Sequence, residues 1–152
     1  MQFEPTQEQV KAATDLENAI ALRDGALVFA AMSKAHVTGF HPIHSQSLIL
    51  LAEAPWHFLH EDVVRGIQTL RSPAAVEALE RTAFAVHKYL DYDDVFALAR
   101  KCTWALADIG TPEARMALKR LTSCNNPMIA GFAQKRLMNW QKEMPRKGYR
   151  PS

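Results

Sequence analysis

A ten-residue segment of this chain comes back after a step of 39 residues. Leu70-Arg71-Ser72-Pro73-Ala74-Ala75-Val76-Glu77-Ala78-Leu79 returns as Ile109-Gly110-Thr111-Pro112-Glu113-Ala114-Arg115-Met116-Ala117-Leu118. In both copies an apolar helix ends, a Ser/Thr-Pro pair follows and a second amphipathic helix begins. A repeated helix pair cannot bury its apolar face alone, so such units stack on one another into a solenoid. The next step is shorter. Leu106 and Ile109 align with Leu137 and Trp140 at a spacing of 31, eight less than the first. The difference falls in the Ala85–Asp94 connection, and insertions of this kind gather on one face of a solenoid, often the binding face.

The rest of the chain reads as helix. Thr6 caps the first helix and Gln9 completes a capping box; Val10, Ala13, Leu16 and Ile20 form its stripe, and Asp24-Gly25 closes it. A second helix covers Ala26 to about His36. Ser45 or Ser47 caps a short helix that Pro55 ends, and another spans Glu61–Leu70. Val76, Leu79, Ala83, Val86 and Leu90 recur every three to four residues, which predicts one helix over the whole stretch. Val95, Leu98, Cys102, Leu106 and Ile109 make the next stripe, closed by Gly110 in the left-handed conformation. Thr111-Pro112-Glu113 opens a helix that runs to Leu121, and a last one covers about Met128 to Gln141. No segment alternates with period two. The expected fold is all-α: eight helices forming about four antiparallel hairpins in a right-handed superhelix. Residues 1–143 form one domain, irregular over 1–59 and regular over 60–141, with 144–152 a basic tail.

Composition excludes several classes. With 48% apolar and 22% charged residues, the chain is neither disordered nor a membrane span. The first residues lack the basic and apolar regions of a signal peptide. Cys102 and Cys124 have no metal or redox spacing, so Cys102 reads as a buried free thiol and the chain as cytoplasmic. Charge is unevenly spread: residues 1–76 carry 5 basic against 8 acidic side chains, and residues 77–152 carry 13 against 8.

Two segments carry a family resemblance. His60-Glu61-Asp62-Val63-Val64-Arg65 resembles the second-helix opening of the short HEAT-like repeats named after phycobilisome lyases. Ala105-Leu106-Ala107-Asp108-Ile109-Gly110-Thr111-Pro112-Glu113-Ala114 resembles the turn between their repeats. The resemblance covers residues 60–140. It implies a HEAT-like solenoid and a binding function, since the family includes scaffolds, adaptors, lyase subunits and inhibitors, and its motif residues are packing and capping residues.

Three clusters could carry chemistry. His41/His44 and His57/His60 form two H-x-x-H pairs, with His36 nearby, and could converge on a transition metal. Capping or surface roles account for them more simply, so no cofactor or metal is expected. Asp91, Tyr92 and Asp93 place acids and a phenol in the longest late loop, where the acids suit a helix N-terminus and Tyr92 a contact. Arg115, Lys119, Arg120, Lys135 and Arg136 could form one basic strip across the last two helices. Such a strip serves an acidic protein surface or nucleic-acid phosphates, or simply keeps the last repeat solvated. Trp104, off its helix's stripe, plugs a neighbouring groove or anchors a partner.

No nucleophile elbow, phosphate loop or zinc-protease motif is present. The sequence therefore predicts a non-enzymatic protein-binding module: a small inhibitor or adaptor, similar in size to the HEAT-like bacterial immunity proteins that cover a cognate toxin's active site. Nucleic-acid binding, as in the longer HEAT-like DNA glycosylases, and a lyase-like accessory subunit are the alternatives. No membrane or small-molecule partner is expected.

Overall fold

A computed structural model of the chain describes residues 3–90 and 96–148. Asp91, Tyr92 and Asp93 lie outside the described residues, as does the end of the expected tail. Among the described residues there are nine α-helices and no strand: α1 (Gln7–Leu22), α2 (Gly25–Thr38), α3 (Ser45–Glu53), α4 (His60–Leu70), α5 (Val76–Thr82), α6 (Ala97–Ile109), α7 (Pro112–Leu121), α8 (Pro127–Met138) and α9 (Trp140–Glu143).

Local chemistry sets most of these ends. Thr6 Oγ1 accepts from the Gln9 amide at 3.1 Å while Gln9 Oε1 accepts from the Thr6 amide at 2.9 Å, which satisfies two of the orphan donors at the start of α1. Asp24 does not close α1. Its carboxylate accepts from Ala26 and Leu27 and opens α2, and the left-handed Arg23 (φ 49°) ends the helix before it. Gly110 takes the left-handed conformation at φ 71°, and the Thr111 hydroxyl then caps α7 with Pro112 in its first turn. Asn126 caps α8 through Met128 and Ile129.

Consecutive helices pair as hairpins, α1 with α2, α3 with α4, α5 with α6 and α7 with α8. The first helices of the hairpins form one layer, in which α1, α3, α5 and α7 each touch the next. In the second layer α4 packs on α6 and α6 on α8, but α2 barely touches α4. A continuous core runs between the layers from Leu16 and Val28 through Leu51, Ile67, Leu79 and Leu106 to Leu118 and Ile129. Many of its members are alanines (Ala19, Ala31, Ala52, Ala99, Ala105, Ala117, Ala133), whose small side chains let the helices approach closely. The chain is thus an all-α stack of helical hairpins, the architecture of a helical-repeat protein.

Two expected helices are broken. The helix predicted through Leu90 stops at Thr82, and Val86, expected inside, is 87% exposed. Thr82 Oγ1 donates to the Ala52 carbonyl at 3.3 Å, and the next amides bond three residues back (Phe84 to Arg81, Ala85 to Thr82), which tightens the last turn. The chain then crosses to α4, where His87 and Tyr89 meet His60. The last predicted helix breaks at Asn139, whose Nδ2 donates to the Lys135 carbonyl, and α9 restarts with Trp140 buried. Residues 144–148 fold back: Met144 is buried, and the Lys147 carbonyl accepts from Arg71 Nη1 at 2.7 Å.

Gly66 explains how the gap between α2 and α4 is held. A Cβ at Gly66 would stand 3.0 Å from the Phe40 ring and 3.1 Å from Leu48, so only glycine lets that ring lie against α4. Replacing a mid-helix glycine with alanine ordinarily stabilises by about 1 kcal/mol. Here Gly66→Ala should instead lower stability by about 1 kcal/mol, because Leu48 is fully buried and cannot yield without disturbing its own packing. Urea unfolding of the pair measures the sign.

Candidate interaction surface

The residues of the expected basic strip take different roles. Arg136 turns inward and is only 4% exposed; its guanidinium lies 3.5 Å above the Trp104 ring and donates to Glu143 at 2.7 Å. A delocalised cation over an indole face is a favourable packing partner, so Arg136 is a structural residue. Lys147 extends the same cluster, 2.7 Å from Asp108 and 3.4 Å from Glu143. Arg120 forks onto Glu80 with contacts of 2.9 and 2.8 Å, and Arg115 lies 5.4 Å from the centre of the Trp140 ring. Of the five, Lys119 and Lys135 are exposed with no acid paired to them among the described residues. Trp104 neither plugs a groove nor stands free: Arg136 covers it on one side, and the remainder is open to solvent beside α4.

Four of the five front histidines are tied up by backbone. His41 Nδ1 accepts from the Ile43 amide and its Nε2 donates to the Phe3 carbonyl. His44 repeats this with the His41 amide and the Gln9 carbonyl, and His57 with the Leu59 amide and the Leu51 carbonyl. His60 Nε2 donates to the Ala54 carbonyl at 2.6 Å, and its Nδ1 accepts from the Tyr89 hydroxyl at 2.8 Å. A carbonyl can only accept and an amide only donate, so in His41, His44 and His57 Nε2 is the donor and Nδ1 the acceptor. No lone pair is left to share with a metal, and no metal-binding group of three such side chains exists among the described residues. His36 lies apart, on α2, beside a cavity.

The sixth histidine, His87, has a role that no local pattern signals. His87 stacks on His60 with ring centres 3.6 Å apart, and His60 stacks in turn on His57 at 4.0 Å. The stack pins the segment after α5 to the turn before α4. A histidine 27 residues beyond His60 and outside any helical stripe gives no sequence signal of this contact. Burial pushes the imidazoles of His44, His57 and His87 below their ordinary value, and that of His60 down to about 4.

Two further features come from the second layer. Between α2 and α4 lies a cavity of about 230 Å³ walled by Phe29, Met32, Phe40 and Leu59, with Arg65 at its mouth. Between α4 and α6 a shallow groove is lined by Arg65, Gln68, Arg100, Lys101 and Trp104. Arg65 lines both. Lys101 pairs with Glu61 at 3.5 Å and Gln68 donates to Asp108 at 2.7 Å. Arg65 and Arg100 have no acid partner among the described residues. These residues are 35 apart in sequence and become neighbours only because α4 packs on α6.

Residues 98–124, spanning α6, the Gly110–Thr111 turn and α7, match the PBS lyase HEAT-like repeat. This segment is a HEAT-like helical repeat, and repeats of this kind commonly mediate protein interactions. No curated protein and no solved structure matches the chain. Among the described residues no helix is long and apolar enough to cross a membrane.

Two expectations follow from these placements. A histidine whose folded pKa is depressed opposes protonation in the native state, so the unfolded chain binds more protons and stability rises with pH. Stability should be full above about pH 6.5 and fall as the pH drops from there towards about 4, where His60 titrates. Denaturant midpoints across this range should show the slope, and His60→Gln should flatten it. Separately, Arg136→Ala should cost roughly 3 kcal/mol, as expected for breaking a buried ion pair. Reversing Lys119 and Lys135 to glutamate should change unfolding free energy by no more than about 0.5 kcal/mol.

Proposed function

We propose that this chain is a non-enzymatic protein-binding module, a small inhibitor of the immunity type or an adaptor. It acts in a reducing cytoplasm, where Cys102 and Cys124 stay free, and it covers a functional surface of its partner with the outer face of α2. The supporting observation is the character of that helix. Gly25–Thr38 is apolar nearly all round, with only Ser33, Lys34, His36 and Thr38 polar. A helix of that kind is normally buried on every side. Only one side of α2 is buried, against α1 and the core. Phe29 is 62% and Val37 83% exposed.

Phe29 and Val37 lie two turns apart on α2, and large apolar side chains exposed in this way mark a contact surface. Burying Phe29 and Val37 contributes about 1.5–3 kcal/mol each, enough to make them anchors.

Co-expression with the protein encoded beside it, followed by size-exclusion chromatography with light scattering, tests the reading. A one-to-one complex is expected. Phe29→Asp with Val37→Asp should weaken it at least about tenfold while leaving the melting temperature of the free chain unchanged, because neither side chain is in the core. Inhibition of the partner's activity in the complex separates inhibitor from adaptor. A complex indifferent to both substitutions, or none with any neighbouring product, contradicts the proposal.

A further inference from the structure

We infer that the α2–α4 cavity and the α4–α6 groove, which share Arg65 in their linings, together form a peptide site that takes an extended acidic segment with one large apolar anchor. This deepens the protein-binding reading and rests on it.

The cavity sets the anchor. Its volume of about 230 Å³ lies below the ~300–1,000 Å³ of pockets that enclose a drug-sized ligand. Phe29, Met32, Phe40 and Leu59 give it apolar walls, and Ser33, His36, Asp62 and Arg65 complete the lining. That space suits one phenylalanine, leucine or tryptophan side chain delivered from outside. The Phe40 wall is fixed by its close seat on Gly66, so the cavity is preformed rather than opened by the ligand.

The charges set what flanks the anchor. Arg65 stands at the mouth and Arg100 lies across the groove on the neighbouring helix, both exposed and both without an acid partner among the described residues. Packed helices lie ~8–10 Å apart, and an extended chain advances ~3.3 Å per residue. A carboxylate next to the anchor therefore reaches Arg65, and one about three residues further on reaches Arg100. Guanidinium groups suit this role, since their planar fork grips a carboxylate with two hydrogen bonds.

A peptide fits better than a nucleic acid. Glu61 and Asp62 stand beside Lys101 and Arg65 on α4. A phosphate backbone, with a charge at every step, would press against those acids; a peptide can place its two carboxylates past them. The cavity walls also offer an apolar side chain contacts that a phosphate chain would leave unused.

The probe is a fluorescein-labelled decapeptide of Gly and Ser, with one Phe and a Glu at the first and fourth positions after it, titrated with the intact chain by fluorescence anisotropy. Saturable binding is expected. It should weaken at least about tenfold when the peptide Phe becomes Ala, when both Glu become Lys, or when the protein carries Arg65→Glu and Arg100→Glu. The double variant should melt at the wild-type temperature, which separates a lost site from a lost fold. No saturable binding, equal binding of the Phe-to-Ala peptide, or stronger binding of an oligothymidylate of the same length overturns the inference. A natural complex broken by Val37→Asp alone but untouched by Arg65→Glu and Arg100→Glu also overturns it, and leaves the protein-binding reading standing.

Discussion

Each hairpin in this chain has two apolar faces that it cannot cover from its own residues. The packing of one hairpin's pair of helices on the next solves this for the interior: α3–α4 and α5–α6 are flanked on both sides, and their core residues lose nearly all exposure. The free energy of a helical stack is close to a sum over such neighbour contacts. Its ends are the exception, since each end hairpin has a neighbour on one side only. The C-terminal end is closed by α9 and residues 144–148, with Arg136 sealed over Trp104 and Lys147 held between Asp108 and Glu143. On the first hairpin, α2 carries Phe29 and Val37 into solvent.

The irregularities of the stack come from polar groups that satisfy backbone. His41, His44, His57 and His60 use both ring nitrogens to hold turns around α3 and α4, a function that capping side chains perform at the other helix starts. The His57–His60–His87 stack then draws the chain after α5 across the second hairpin, ending that helix at Thr82. Phe40 wedges between α2 and α4 against Gly66, so the second layer is interrupted at one place. The interruption is the cavity.

What was legible in the sequence was local. The Gly110-Thr111-Pro112 turn, the Thr6–Gln9 box and the stripes of α6 and α7 depend on residues within a few positions of each other, and they stand as read. What failed depends on contacts between distant segments. Val86 sits on a faultless stripe, but the pull of His87 towards His60 outweighs the preference of that stripe for a longer helix. Arg136 looks like a surface cation until Trp104, 32 residues earlier, gives it a ring to lie on. The apolar composition of Gly25–Thr38 was visible from the start. Periodicity cannot reveal which face of an all-round apolar helix lacks a neighbour, because every face looks the same.

We propose that the uncovered side of α2 and its junction with α4, rather than the basic C-terminal end, is where this chain meets a partner. Hydrogen–deuterium exchange of the free chain and of its complex locates the covered surface without any substitution. The account predicts slowed exchange in residues 25–38 and 60–70 on complex formation, with α7, α8 and residues 140–148 unchanged. Protection confined to α7, α8 and the C-terminal segment, with α2 exchanging as in the free chain, would contradict it.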